Sequence, residues 1–170
     1  MFNPKEDGLT HINIYSKGIT PLGRLLSNFA FTPFVSAHGR FCSMEGYWFY
    51  LQSEPSWERE SLRLLSGHRA KEVGQRIRTK YLEDDIDFKK AIITAMYCKL
   101  IDNDSIVKML QKSTLPFTHY YSYGNTPVDA GFKWQLGAWE NIRNELRDKN
   151  WRSFFDAILA EDDSSSRLQL

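Results

Sequence analysis

The sequence contains little cysteine, no excess of one charge and no long apolar run, and each absence excludes a class of protein. The two cysteines, Cys42 and Cys98, form neither a disulfide framework nor a metal-binding spacing. A net charge of +1 excludes an extended basic surface for long nucleic acid. No apolar stretch approaches the roughly 18 residues of a membrane span, and the first residues lack a signal-peptide pattern. We therefore expect a soluble, cytoplasmic monomer that contacts no membrane and needs no metal or other cofactor.

Aromatic residues, in contrast, are abundant. The 170 residues include five Trp, eight Tyr and eleven Phe, together 14% of the composition. A chain of this length forms most simply one domain, which buries roughly 70% of its unfolded surface. More rings than a core needs favour a ring-lined pocket. We predict a single domain over residues 1–160 and a disordered, acidic and serine-rich tail over 161–170.

The periodicity of apolar residues predicts an α+β fold that is rich in helices and has a small N-terminal β portion. Alternation predicts a strand over 11–16, and an extended segment through Phe29, Phe31 and Phe34 turns at 36–39 and returns to Phe41. Ser43 is the predicted N-cap of the first helix. Helical periodicity marks the segments 44–51, 57–65, 70–81, 88–100, 105–111, 136–147 and 151–160. Residues 115–132, with two prolines and two glycines, are typical of a long functional loop.

The stretch LLSNFAFTPFVSAHGRFCSMEGYWFY, residues 25–50, contains eight aromatic rings and a single carboxylate, that of Glu45. On a helix, Glu45 shares its face with Trp48, Phe49 and Gln52. Burial against rings disfavours the charged form of a carboxylate, so its pKa rises toward the range that suits general acid or base catalysis. The alternative is a first-turn acid that interacts favourably with the helix N-terminus. Periodicity alone leaves both interpretations open.

Possible partners of Glu45 lie upstream. Ser27 and Asn28 are small hydrogen-bonding residues before an aromatic segment, and Lys17 lies where the first predicted strand ends. Loop residues at strand ends commonly carry binding groups. A plain turn explains Ser27 and Asn28 equally well, and a solvated strand end explains Lys17. Only the combination of these residues with Glu45 favours a functional site.

The order and spacing of these residues resemble the NADAR superfamily of YbiA-like proteins. That family shows a strand reading I-x-F-Y-S, then G-x-hydrophobic-S-N-F, an aromatic-proline segment, and S-x-E-x-Y-aromatic on a helix. The corresponding segments here are 12–16, Gly23 with one extra residue after it, 26–29, 33–34 and 43–48. Fainter likeness continues through AMYCKL at 95–100 and LGAWENIRNEL at 136–146. The chain departs from the family at Phe49, Gln52 and Trp134, where the family often has Gln, Lys and Asn.

The resemblance implies a YbiA-like fold and N-glycosidase chemistry. Family members cleave ribosylaminopyrimidine intermediates of riboflavin synthesis or remove ADP-ribose from guanine bases in DNA. We expect the second activity, on a guanine in single-stranded DNA or flipped out of a duplex, in an antitoxin or counter-defence role. The riboflavin-intermediate glycosidase, and a non-catalytic module that binds ADP-ribose or a similar small molecule, are the alternatives that the departures leave open.

The resemblance also assigns roles to individual residues. Glu45 is expected to act as the catalytic acid, and Lys17 as a nucleophile that attacks the anomeric carbon and forms an imine. Lys99 is a competing nucleophile, with a snorkelling surface lysine as its alternative role. The predicted ligand contacts, for which core packing or solvation is the alternative, are Arg24, Ser27, Asn28, Phe29, Tyr47, Trp48, Tyr121, Tyr123, Gly124, Asp129, Trp134 and Gly137.

Some of these contacts have an expected chemical partner. Asn28 is expected to bind sugar or phosphate hydroxyls, and Phe29 or Trp48 to stack on the base. Arg24 is expected on the pyrophosphate, because its forked guanidinium matches phosphate oxygens. Asp129 would replace a late acid of the family, with a turn aspartate as its alternative role.

Overall fold

The computed structural model of the chain describes residues 3–123, 126–148 and 150–167. In chain order its helices and strands are β1 (Ile12–Asn13), α1 (Pro21–Leu26), β2 (Phe34–Ser36), β3 (Gly39–Phe41), α2 (Met44–Leu51), α3 (Trp57–Ser61), α4 (Gly67–Ile77), α5 (Ile86–Ile101), α6 (Asp104–Lys112), β4 (Phe117–Thr118), β5 (Tyr120–Tyr123), β6 (Thr126–Asp129), α7 (Lys133–Glu145) and α8 (Trp151–Arg167). Short 3-10 turns cover Pro4–Glu6 and Leu62–Leu64. The predicted class, α+β and rich in helices, is confirmed.

The chain forms two compact units. The first comprises Met1–Ser27 and Ser105–Asp148, and the second comprises Asn28–Asp104 and Lys149–Leu170. Each unit joins segments that are distant in the sequence. The single domain predicted over 1–160 stays a prediction.

The first unit is built around short strands. Strand β1 pairs in parallel with β4, with Ile12 opposite Phe117, and β5 pairs with β6 in antiparallel orientation. The Asn13 side chain continues the pairing beyond β4. Its amide donates to the Tyr120 carbonyl and its oxygen accepts from the Tyr120 N–H, both at 3.0 Å. A side chain thus satisfies backbone groups that the short ladder would leave open.

The turn after β1 is fixed by a buried carboxylate. Asp7 accepts hydrogen bonds from the N–H of Asn13 at 2.9 Å and of Ile19 at 2.6 Å, which clamps residues 13–19. Helix α1 then returns close to β1. Gly23 faces the Asn13 carbonyl so closely that a Cβ there would overlap it. The glycine of the SNF motif is therefore required by packing.

The second unit is organised around helix α2, which packs against α4, α5 and the Leu62–Leu64 turn. Ser43 caps α2 as predicted, because its Oγ accepts from the Gly46 N–H at 3.1 Å. Two glycines permit the close packing of this helix. A Cβ on Gly46 would overlap the Leu62 carbonyl, and a Cβ on Gly74 of α4 would overlap the Phe49 ring. The position of α2 against α4 is therefore tightly fixed.

Aromatic packing fills the rest of this unit. The hairpin of β2 and β3 sets Phe34 opposite Phe41, as the predicted turn at 36–39 requires. Both rings are fully buried, and Tyr47 packs edge-on against each of them. Helix α8 packs on α5 through Phe155, whose ring meets Tyr97 at 4.5 Å.

Each of the seven predicted helical segments contains a helix, with ends shifted by a few residues, but helix α1 (Pro21–Leu26) was not predicted. Helix α8 extends to Arg167, through part of the segment predicted as a tail, and residues 168–170 lie outside the described residues. In the described part of the chain, no helix is long and apolar enough to cross a membrane.

The prediction for residues 115–132 is wrong in its secondary structure. Within this segment, the described residues 117–118, 120–123 and 126–129 form strands β4, β5 and β6, so the β portion is not confined to the N-terminal region. The partner of β4 is β1, more than a hundred residues earlier, and Asn13 adds the contact to β5. Such pairing depends on tertiary contacts, which local patterns do not contain.

Candidate active site

One turn joins the starts of two helices in the second unit. The Asn28 carbonyl accepts from the Glu45 N–H at 2.8 Å, and the Phe29 carbonyl accepts from the Gly67 N–H at 3.1 Å. Glu45 is the second residue of α2, and Gly67 is the first residue of α4. The Asn28–Phe29 turn therefore places the first turn of α2 beside the first turn of α4.

Glu45 is a buried acid in this position. Its side chain is 8% exposed, and no group of the described residues donates a hydrogen bond to its carboxyl oxygens. Burial raises the pKa of the Glu45 carboxyl from 4.5 to about 7, and the nearby Lys71 ammonium opposes part of that rise. The acid is thus both a first-turn residue of α2 and a desolvated group that exchanges its proton near neutral pH.

Two residues of α4 lie beside the Asn28–Phe29 turn. The His68 ring meets the Phe29 ring edge-on at 5.2 Å, and the Lys71 ammonium lies 5.9 Å from the centre of the Phe29 ring. Sequence reasoning missed His68 because it began this helix at Ala70, whereas Ser66 as an N-cap residue would have placed His68 in the first turn. Lys71 fell inside the predicted helix, but nothing in the local sequence sets it apart from a solvated lysine.

Tyr47 and Trp48, two predicted ligand contacts on α2, have core contacts. The Tyr47 hydroxyl lies 3.1 Å from Nδ1 of His38, and Trp48 packs edge-on against Phe88 at 4.7 Å. Both side chains are buried. Their contact with a ligand stays a prediction.

Gln52, one of the departures from the family motif, has a structural role. Its side chain is fully buried, and its Oε1 accepts from the Leu82 N–H at 3.1 Å. Its carbonyl accepts from the N–H groups of Thr79 and Lys80 at 3.0 and 3.1 Å. Gln52 therefore holds the segment after α4 against the end of α2.

The predicted nucleophile and phosphate ligand belong to the first unit. Lys17 is exposed in the turn that Asp7 clamps. Arg24 is exposed on α1, and its Nη1 donates to the carbonyls of Gly18 at 2.8 Å and Ile19 at 2.7 Å. The arginine thus supports the Lys17 turn, and its remaining donors are the ones available to a phosphate.

The other predicted contacts of the first unit are spread over several elements. Ser27 is buried at the end of α1, and Trp134 is half-buried on α7. Asp129 accepts from the Gly131 N–H at 2.8 Å, which is the turn-aspartate arrangement. Gly137 is exposed on α7, and a Cβ there would meet no atom within 4 Å. A close backbone approach therefore does not explain this glycine.

The predicted contacts Tyr121, Tyr123 and Gly124 lie in and after strand β5, and the structure describes the two tyrosines. The Tyr121 ring packs edge-on against Tyr15 at 5.4 Å, beside the first strand. Tyr123 ends strand β5, and Gly124 lies outside the described residues. Ligand contacts at these positions stay predictions.

Lys99 is wholly buried on α5, and burial lowers the pKa of its ammonium from 10.5 to about 7. A nucleophile has to reach the ligand, and Lys99 has no exposed surface. Lys17 has the access but lies in water. Over residues 3–123, 126–148 and 150–167, no cluster of three or more His, Cys, Asp or Glu side chains could hold a metal ion.

No model of a known protein family and no curated protein sequence matches the chain. The fold, however, is similar to the NMR structure of the E. coli protein YbiA, with a TM-score of 0.62 and 18% sequence identity. The likeness covers 81% of this chain and 84% of the YbiA chain. At this identity it establishes the fold and leaves the activity to be argued from the site. The chain therefore has the YbiA-like fold that its motifs predict.

Proposed function

We propose that the protein is an N-glycosidase that hydrolyses the bond between ADP-ribose and a guanine base in DNA. The observation that carries the proposal is Glu45, a buried carboxyl beside the Asn28–Phe29 turn whose pKa is raised to about 7. An acid of this kind is half protonated at neutral pH, where general acid catalysis is most efficient. The likeness of the sequence motifs to the NADAR superfamily supplies the substrate class and the antitoxin or counter-defence role.

The reaction needs one proton and one water. The bond from the anomeric carbon to nitrogen breaks through an oxocarbenium-like transition state, and the neutral Glu45 carboxyl gives its proton to the departing base. Water adds to the anomeric carbon and returns a proton to Glu45, so the products are ADP-ribose and unmodified guanine in DNA. Phe29 offers a ring for stacking beside the acid, and Asn28 an amide for a sugar hydroxyl. A guanine reaches such a site from single-stranded or unstacked DNA.

The alternative to direct attack by water is a covalent route, in which Lys17 attacks the anomeric carbon and forms an imine. Access favours Lys17 over Lys99, because ligand binding can desolvate an exposed amine whereas a wholly buried one cannot reach the ligand. We therefore expect borohydride, added during turnover, to fix an adduct on the peptide that contains Lys17, detected by mass spectrometry. An adduct on Lys99 would reverse this assignment, and no adduct at all would leave direct attack by water.

The proposed activity is tested on oligonucleotides that carry ADP-ribose on guanine. We expect release of free ADP-ribose, measured by chromatography, from single-stranded substrate. Ribosylaminopyrimidine phosphates form the second substrate arm, and release from them alone would assign the riboflavin-intermediate activity instead. Calorimetry with ADP-ribose forms the third arm, in which binding without turnover of either substrate would indicate a non-catalytic reader.

A further inference from the structure

Lys71 acts on Glu45 across the Asn28–Phe29 turn. Its ammonium lies 5.9 Å from the centre of the Phe29 ring, one helical turn into α4. The preceding residue, Asn28, accepts from the Glu45 N–H at 2.8 Å. Adjacent residues of one turn thus bind the backbone of Glu45 and lie beside the Lys71 ammonium, and all four residues belong to the second unit.

Neither charged group is neutralised elsewhere in the described residues. Glu72, next to Lys71, is paired with Arg69 at 3.1 Å, and Lys71 itself makes no ion pair or hydrogen bond with a described side chain. The Glu45 carboxyl likewise receives no hydrogen bond from the described residues. The Lys71 ammonium therefore acts on the Glu45 carboxyl through its charge, and no hydrogen bond or ion pair joins the two groups.

Other charged groups on the elements packed against α2 face elsewhere. Three arginines lie over aromatic rings: Arg59 and Arg63 over Tyr50, and Arg78 over Tyr81. The acids of α3 are paired at 2.6 Å: Glu58 with Arg76, and Glu60 with Arg63. Arg40 of β3 is exposed, His38 contacts Tyr47, His68 packs edge-on against Phe29, and Lys99 of α5 is buried. Among the described residues, Lys71 is the charged side chain that acts on Glu45.

We propose that Lys71 is a positioning residue for Glu45, whose ammonium, held over Phe29, compensates the negative charge that the carboxyl acquires on giving its proton to the leaving base. The inference rests on the proposed function, since it gives the proton donor of that site an electrostatic partner. Charge that develops in the transition state is stabilised most by groups already fixed in place. The close packing at Gly74 holds α4 against α2 and so fixes the backbone positions from which Lys71 and Glu45 extend.

The first test measures the pKa of the Glu45 carboxyl directly. Carbon-13 NMR of the Glu45 side-chain carboxyl, followed against pH, should give a midpoint near 7 in the wild type. Lys71→Met removes the cation and should raise that midpoint by about one unit, and Lys71→Arg should leave it near the wild-type value. Lys90→Met, at a lysine that is 70% exposed on α5, is the matched control and should change nothing. Lys71→Gln replaces Lys71→Met if the methionine variant does not fold.

The second test measures how the rate of ADP-ribose release depends on pH. The protonated acid is the active form, so the rate of ADP-ribose release should fall as pH rises through the Glu45 pKa. Lys71→Met should move this alkaline limb to higher pH by the amount that NMR reports and lower the maximal rate by up to about tenfold, the factor that one pKa unit represents, and Lys71→Arg should restore both. An unshifted midpoint in an active protein would overturn the role of Lys71. A shifted midpoint in a protein that releases ADP-ribose from no substrate would instead contradict the proposed function.

Discussion

Glu45→Gln is expected to lower the rate of ADP-ribose release by about 10²- to 10⁴-fold, the usual contribution of a general acid. Glutamine keeps the size and shape of the side chain but has no acidic proton to give to the leaving base. Affinity for ADP-ribose, measured by calorimetry, should change by less than about threefold, because the lost interaction belongs to the transition state. Single-turnover assays on the modified oligonucleotide measure the rate. Glu54→Gln, at a side chain that is 59% exposed, is the matched control and should keep full activity.

The free energy of unfolding shows whether Glu45→Gln has lost only a proton donor or has a damaged fold. The pKa of Glu45 is about 7 in the folded chain and about 4.5 when unfolded, so the folded state holds more protons between these values. The free energy of unfolding therefore falls as pH rises from 4.5 to 7, by up to about 3 kcal/mol. Glu45→Gln escapes this loss and should be the more stable protein at pH 8. A variant that keeps wild-type turnover would contradict the assignment of Glu45.

Local patterns predicted helices α2 to α8, although not the short helix α1, because the signals of a helix lie within a few residues. Ser43 and the spacing of Met44, Tyr47 and Leu51 specify α2 without reference to the rest of the chain. Strand β1 could not be delimited in the same way. Only Ile12 and Asn13 pair, since the ladder ends where β4 ends and Asn13 turns its side chain to Tyr120. Short strands of this kind owe their existence to distant partners.

The candidate site, like the fold, was predictable only where its signal is local in the sequence. Glu45 was identifiable because a lone acid among rings on one helix face implies desolvation, and the structure confirms that it is buried with a raised pKa. Lys71 was not, because its link to Glu45 passes through the Asn28–Phe29 turn and joins segments more than 20 residues apart. Nothing in the local sequence of α4 distinguishes Lys71 from a solvated lysine.

Lys99 gives the second large prediction, a steep dependence of stability on pH. The unfolded chain keeps the Lys99 proton up to about pH 10.5, whereas the folded chain releases it near pH 7. The unfolded state therefore binds more protons between these values, and the free energy of unfolding rises with pH across that range. Each pKa unit corresponds to about 1.4 kcal/mol. Lys99 should thus add about 3–4 kcal/mol to stability between pH 7 and pH 10.

Lys99→Met removes the titrating group and keeps an unbranched side chain of similar length, so it isolates this contribution. The difference in unfolding free energy between wild type and Lys99→Met, measured by urea unfolding and circular dichroism, should grow in favour of the wild type from pH 7 to pH 10. Lys90→Met, on the same helix but exposed, should follow the wild type. Parallel curves for wild type and Lys99→Met would show that Lys99 keeps its charge in the folded chain. A growing difference would establish that α5 holds an uncharged amine in the core of the folded chain.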